Sequence, residues 1–185
     1  MISLMRIPIA VLAIGIHKYT KAIVSNYKGD NLEVSLNIFK YIDIIGLFFA
    51  VYYGFGWGRP VRTSSTYYED RVSDTRITYL APSIVNLMLG FLFFALYRYY
   101  MVYREFGFYY HFIYGFMQQA YIVNISIAVF NMFPFTPCDG AKLFGTYLTP
   151  DNLVKFYSYE PIMKITLLLL IATGYVGHVV NLFIF

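Results

Sequence analysis

The fold class of this protein is decided by the stretch FIYGFMQQAYIVNISIAVFNMFPF, residues 112–135. It contains no charged residue, and it is longer than the roughly 20 apolar residues that a helix needs to cross the hydrocarbon core of a bilayer. Backbone polar groups in hydrocarbon must be paired within their own segment, which favours a helix over an open strand. This stretch therefore predicts a transmembrane helix.

Four further apolar segments accompany this one along the chain. Together they predict an all-α, polytopic membrane bundle of about five to six spans. The polar connections between segments are short, so we expect residues 1–185 to form a single domain. The second segment is short for a full crossing. The five predicted segments are residues 7–24, 41–57, 80–97, 112–135 and 162–185.

The composition supports a membrane protein and excludes several other classes. Hydrophobic residues make up 59% of the chain and charged residues 13%, against about 25% charged in a typical soluble domain. The 20 tyrosines and 18 phenylalanines exclude a disordered chain. Cys138 is the single cysteine, so an internal disulfide is excluded. The net charge of +4 comes without a long basic run, which argues against nucleic acid as a partner and leaves the lipid bilayer.

The distribution of Lys and Arg residues predicts an orientation in the membrane. Cytoplasmic loops carry an excess of these residues. With five crossings, the loops on the N-terminal side hold more Lys and Arg than the loops on the other side. We therefore expect a multi-pass integral membrane protein with its N-terminus in the cytoplasm or on the equivalent inner side.

Two polar clusters interrupt the apolar pattern. The first is residues 17–21, with the sequence HKYTK, inside the first segment. Each of its lysines would cost about 2.5–3.5 kcal/mol at the centre of a bilayer on insertion scales, so both must reach an interface or meet an anion inside the bundle. The second is residues 131–140, with the sequence NMFPFTPCDG, which ends the fourth segment with two prolines and then presents the carboxylate of Asp139.

These clusters resemble the site-2 protease family of intramembrane zinc metalloproteases, and the chain looks like a short bacterial-type member of it. The family binds zinc through two histidines of an H-E-x-x-H helix, whose glutamate is the general base, and through the aspartate of an N-x-x-P-x-x-P-x-D-G motif. Residues 17–22 are similar to the helix, although they depart from it at two positions. The residues that match the second motif are Asn131, Pro134, Pro137, Asp139 and Gly140.

The two departures from the family pattern decide the expected function. Lys18 stands at the position of the general base, and Lys21 stands at the position of the second histidine ligand. The ligand set is reduced to His17 and Asp139, whereas a zinc site has at least three protein ligands. We therefore expect no intact catalytic residue and no cofactor. Cys138 is interpreted as a small buried side chain rather than a replacement ligand.

The resemblance also implies what replaces the metal. The family geometry brings positions 17, 21 and 139 together around the ion, so we expect an ion pair between Asp139 and Lys21, with Lys18 as the second choice for the cation. By the same resemblance, Asn86 and Asn131 are expected to line a cleft for a substrate or partner. Simple hydrogen bonds between helices are the other interpretation of the two asparagines.

Three functions from different classes remain open on the sequence. The first, which we expect, is a noncatalytic site-2-protease-like protein that serves as an interaction or structural subunit among other membrane proteins. The second is a zinc metallopeptidase that cleaves transmembrane substrates with altered or engineered ligands, holding zinc through His17 and Asp139. The third is a channel or transport component that uses the charges inside the membrane.

Overall fold

In the computed structural model, the chain is described at residues 4–102 and 108–184, and within these residues it is all-helical without a β-strand. Two short 3-10 turns, Ile38–Tyr41 and Ser65–Tyr67, connect longer elements. Phe185, the last residue of the fifth predicted segment, lies outside the described residues. The α-helices are α1 Arg6–Tyr27, α2 Ile44–Tyr53, α3 Arg71–Val102, α4 Phe108–Asn131, α5 Asp139–Gly145, α6 Pro150–Ser158, α7 Glu160–Ala172 and α8 Tyr175–Asn181.

Three helices, α1, α3 and α4, are long and apolar enough to cross a membrane. Helices α7 and α8 meet the same criterion together, but they are bent by 71° relative to each other, so they form a broken span or a re-entrant loop. The break falls at Gly174, whose φ of 76° lies in the left-handed region. The described residues thus contain three candidate spans, or four with the bent pair, and the prediction of an all-helical chain with helices long enough to span a membrane is confirmed.

The second apolar segment forms only the ten-residue helix α2. Its first turn is capped by Asp43, whose side chain accepts a hydrogen bond from the backbone N–H of Gly46 at 2.8 Å. Its last turn ends at Gly54, which has a φ of 86° and donates to the carbonyl of Ala50. A helix of this length spans about 15 Å, half of the hydrocarbon core.

The other predicted segments correspond to helices with shifted ends. Helix α3 begins at Arg71, well before the predicted residue 80, because a helix can continue beyond the apolar residues where it leaves hydrocarbon. Helix α4 ends at Asn131 instead of residue 135. Pro134 lacks a backbone donor and disfavours helical geometry in the residue before it, so the helix stops before this proline.

The core is built around α1, which packs against both α3 and α4, while α3 also packs against α4 and α5. Small residues on α1, Ala10 and Ala13, are almost fully buried beside Val123 and Ile127 of α4. Small side chains let helix backbones approach closely, which is the usual basis of helix packing in membranes. The same packing turns His17, Lys18 and Lys21 toward the interior.

A single glycine brings the chain after α2 close to this part of α1. Gly58 pairs with Ile42 in an isolated antiparallel bridge. A Cβ atom at Gly58 would lie 2.6 Å from the carbonyl oxygen of Tyr41, 2.8 Å from a methyl group of Ile14 and 3.0 Å from Cγ of Lys18. The close approach therefore requires glycine, and it helps to enclose the aliphatic stem of Lys18.

Candidate functional site

Three polar side chains of α1 lie in the protein interior. His17, Lys18 and Lys21 are exposed by only 1%, 2% and 3%. Residues 17 and 21 are one helical turn apart and share a face, and Lys18 lies three residues before Lys21. Burial of two ammonium groups is costly unless an anion accompanies them, so the position of the nearest carboxylate decides how this site is stabilised.

That carboxylate is Asp139, the first residue of α5, which is exposed by only 3%. Its Oδ1 accepts a hydrogen bond from the ammonium of Lys21, and the same oxygen lies 3.9 Å from Nζ of Lys18. Its Oδ2 lies 3.1 Å from Nε2 of His17. Burial alone would raise the pKa of Asp139, but the attraction of Lys21 and Lys18 outweighs it and holds this pKa below its usual range.

The orientation of His17 is determined by its other ring nitrogen. Nδ1 lies 3.0 Å from the amide oxygen of Asn86. The amide nitrogen of Asn86 donates to the carbonyl of Ala13 at 3.2 Å, and a carbonyl can only accept, so the amide oxygen faces the imidazole. Nδ1 is therefore the donor in this contact, and Nε2 points at Asp139.

Asn86 belongs to a buried polar network that connects the three long helices. Its amide nitrogen also donates to the side-chain oxygen of Asn124 on α4 at 3.0 Å, and Asn124 donates to the carbonyl of Ala120 at 2.8 Å. The amide of Asn86 is thus used inside the protein. Sequence reasoning gave Asn124 no place in the site, although its position seven residues before Asn131 indicated the same helix face.

Asn131 lies at a different place from Asn86. Its amide nitrogen donates to the carbonyl of Ile127 at 2.8 Å and to the carbonyl of Gly56 at 3.4 Å, and so connects the end of α4 to the segment after α2. Its Oδ1 is buried and has no hydrogen-bond partner among the described residues. None of its hydrogen bonds reaches His17. A role of the two asparagines in binding a substrate or partner stays a prediction.

The aromatic ring of Tyr79 and the thiol of Cys138 lie next to the charged cluster. The ammonium of Lys21 lies 4.8 Å from the centre of the Tyr79 ring, within the range of a cation–π interaction. Cys138 is exposed by only 3% and packs in an apolar cluster with Phe130 and Leu167. Burial, followed by the charge of Asp139, raises the pKa of its thiol. Sequence reasoning did not single out Tyr79.

The donors at this site do not fit a zinc ion. Nε2 of His17 and Oδ2 of Asp139 could serve as ligands, but Lys18 and Lys21 bring ammonium groups to the same carboxylate. Within the described residues, no group of three His, Cys, Asp or Glu side chains is placed to hold a metal ion. Zinc sites in proteins use at least three such ligands. The chemistry of the cluster is that of a buried ion pair.

The chain is similar to a protein of Bacillus subtilis (strain 168) named "Putative zinc metalloprotease YwhC". The two are 25% identical over 176 residues, which cover 88% of this chain and 78% of that protein. No family model matches the chain. No solved structure matches it. The similarity supports a distant, metalloprotease-like relationship.

Proposed function

We propose that the protein is a noncatalytic, site-2-protease-like integral membrane protein that acts as an interaction or structural subunit of a membrane assembly. The observation that carries this proposal is the contact between the ammonium of Lys21 and the carboxylate of Asp139. In the family that the sequence resembles, a zinc ion lies between the residues at these two positions. Here the cation is part of the chain.

The charges at the site argue against proteolysis. A charged ammonium at Lys18 cannot take a proton from water, which is the task of the general base at this position. Lys21 can donate a pair of electrons to a metal only after its ammonium group loses a proton. The salt bridge with Asp139 opposes this loss, because it stabilises the charged ammonium. Two buried ammonium groups would also repel a divalent cation.

The buried ion pair gives the site a structural role instead. It joins α1 to α5, and His17 extends the connection through Asn86 to α3. Removing one partner of a buried pair leaves an uncompensated charge, so the pair opposes separation of the helices once it has formed. Such an ion pair stabilises the packed arrangement of the helices, to which partner subunits bind.

The proposal extends to the membrane arrangement. We place the N-terminus in the cytoplasm or on the equivalent inner side, from the distribution of Lys and Arg residues. We treat residues 1–185 as one site-2-protease-like domain. A total of about five to six spans, beyond the three, or four with the bent pair, that helix length and composition support, stays a prediction from the sequence.

The first test is the zinc content and proteolytic activity of the purified protein. We expect well under one zinc per chain by elemental analysis, and no cleavage of a transmembrane reporter in proteoliposomes. An active intramembrane zinc protease in the same vesicles serves as the positive control. One tightly held zinc per chain, lost on His17→Ala or Asp139→Ala, would overturn the proposal. Purification in a mild detergent with stoichiometric membrane protein companions would support the role as a subunit.

A zinc metalloprotease with altered or engineered ligands is the second candidate, because the similar protein from Bacillus subtilis carries that activity in its name. It requires a zinc ion bound by His17 and Asp139, with the deprotonated amine of Lys21 as a further ligand. The zinc measurement separates it from the first candidate without any knowledge of a substrate.

A further inference from the structure

A cavity of about 350 Å³ opens beside the ion pair, and six of its 14 lining residues are charged. Its volume is within the range of small-ligand sites in proteins. The cavity lies between the buried cluster and the start of α7. The charged residues that line it are Lys18, Lys21, Lys142, Lys164, Asp139 and Glu160.

The lining carries more positive than negative charge. Four ammonium groups face two carboxylates. Glu160 forms a salt bridge with Lys164 at 2.7 Å, and Asp139 forms one with Lys21. Among the described residues, Lys142 has no carboxylate partner, and Lys18 shares Asp139 with Lys21. The excess of two positive charges corresponds to the charge of about −1.5 to −2 that a phosphate monoester carries at neutral pH.

Lys18 is the decisive residue because it is both buried and poorly paired. Its side chain is exposed by only 3%, and its Nζ lies 3.9 Å from Oδ1 of Asp139, the oxygen that already accepts from Lys21. A buried ammonium needs an anion to offset its desolvation. The cavity offers the space in which such an anion can reach it. Lys142 is exposed and lies with its Nζ 4.5 Å from the centre of the Tyr157 ring, where it can meet the same ligand from the outside.

The cavity reaches from Lys18, near the middle of α1, to the ends of two candidate spans. It is bordered by residues 136–139, which follow the end of the candidate span α4, and by Glu160, which begins the candidate span of α7 and α8. The ends of spanning helices lie near the lipid headgroups, about 15 Å from the bilayer centre. Basic pockets between helices at this depth are suited to phosphorylated headgroups.

We propose that this cavity is a binding site for a phosphate monoester group, which contacts the buried Lys18 in the interior of the cavity and the exposed Lys142 at its entrance. Such a group is presented by a lipid headgroup, as in phosphatidic acid, or by a soluble phosphate. A bound phosphate supplies Lys18 with an anion that it does not share with Lys21. The site shares Lys21 and Asp139 with the ion pair on which the proposed function rests, but its test measures phosphate binding rather than zinc content or proteolysis, so the two proposals can fail separately.

The test measures the thermal unfolding midpoint of the full chain in a nonionic detergent and a chloride buffer. Dihexanoyl phosphatidic acid and inorganic phosphate are titrated separately, and dihexanoyl phosphatidylcholine serves as the control with the same tails and no net charge. We expect a saturable rise of the midpoint with phosphatidic acid and no saturable rise with phosphatidylcholine. An equal rise with inorganic phosphate assigns the site to the phosphate group from either source. A rise with phosphatidic acid alone assigns it to a lipid headgroup.

Two lysine variants connect the response to the cavity. Lys18→Met and Lys142→Met should each weaken the apparent affinity about tenfold, since each removes a charge-assisted contact. Lys142 is exposed, so its variant is expected to fold even if the buried variant does not. Lys155→Met, which removes an exposed lysine outside the cavity, should leave the affinity unchanged. The absence of a saturable response to either phosphate, or an affinity that survives both cavity variants, would overturn the proposal.

Discussion

Lys21 and Asp139, which are 118 residues apart in the sequence, form a salt bridge in the interior of the protein. Asp139 lies within 4 Å of a second ammonium, that of Lys18, so one carboxylate serves two cations. Because one carboxylate offsets two buried ammonium groups, the stability of the cluster depends on Asp139.

The first prediction concerns the energy of the salt bridge. Asp139→Asn should lower the free energy of unfolding by about 3–5 kcal/mol, because it leaves two ammonium groups buried without a counter-ion. Lys21→Met should lower it by less, because Lys18 is close enough to replace the lost cation. The double variant should differ from the sum of the two by about 0.5–3 kcal/mol.

Unfolding by sodium dodecyl sulfate in mixed micelles is a suitable measurement for this cycle. The exposed pair of Lys40 and Glu33, 3.7 Å apart, serves as the control, and its removal should change the free energy by about 0–1 kcal/mol. Strictly additive losses at Lys21 and Asp139 would contradict the ion pair.

The second prediction concerns recovery of the metal site. Lys18→Glu together with Lys21→His supplies a carboxylate and an imidazole next to His17 and Asp139, which completes a three-ligand set. The zinc content of the double variant should rise from well under one to about one per chain. Elemental analysis after gel filtration measures it. Further substitution of His17→Ala should remove the gain, and Lys155→His on the exposed side of α6 should give none. Equal zinc in all variants would show that positions 18 and 21 do not adjoin a metal position.

The third prediction concerns the reactivity of Cys138. The thiolate is the reactive form of cysteine, and burial raises the pKa of this thiol, so little thiolate is present at pH 8. The side chain is also only 3% exposed. N-ethylmaleimide should leave the native protein unlabelled and label the denatured protein once, since the chain has a single cysteine. Mass spectrometry measures both reactions, and rapid labelling of the native protein would contradict the buried position.

The fourth prediction concerns the asparagine network. Asn86→Ala removes the partner of His17 and of Asn124, and it leaves the carbonyl of Ala13 without a donor. We expect the free energy of unfolding to fall by about 1–3 kcal/mol, the penalty for unpaired buried polar groups. Asn152→Ala, on the exposed side of α6, should stay within about 0.5 kcal/mol of the unmodified protein. A loss at Asn86 no larger than at Asn152 would mean that the network contributes nothing measurable.

The fifth prediction concerns the close approach of Gly58 to α1. Gly58→Ala introduces a methyl group 2.6 Å from the carbonyl oxygen of Tyr41 and 2.8 Å from Ile14, which should lower the free energy of unfolding by about 1–3 kcal/mol. Gly177→Ala is the matched control, because among the described residues no heavy atom other than those of its chain neighbours and its own helix backbone lies within 4 Å of the added methyl group. In helix α8 this change should be neutral or stabilise by up to about 1 kcal/mol. Equal effects at both glycines would show that residues after α2 do not lie against α1.

The sequence by itself determined the helical, membrane-spanning character of the chain. Long uncharged stretches such as residues 112–135 have few stable alternatives, because a backbone in hydrocarbon must pair its own polar groups. The polar clusters at residues 17–21 and 131–140 were also visible without a structure, since charged residues and prolines are conspicuous in apolar surroundings. The ends of the helices were less predictable, because helices such as α3 continue beyond their apolar residues.

The tertiary structure alone decided how the polar groups are paired. The family resemblance favoured Lys21 over Lys18 as the partner of Asp139, but helix rotation and the packing of α5 set the two distances. Asn86 joins His17, whereas Asn131 bonds to the carbonyl of Gly56, and no local pattern distinguishes the two. The cavity beside Lys18 depends on elements from distant parts of the chain. Hydropathy and helix propensity act on neighbouring residues, whereas contacts of this kind arise only after the helices have packed together.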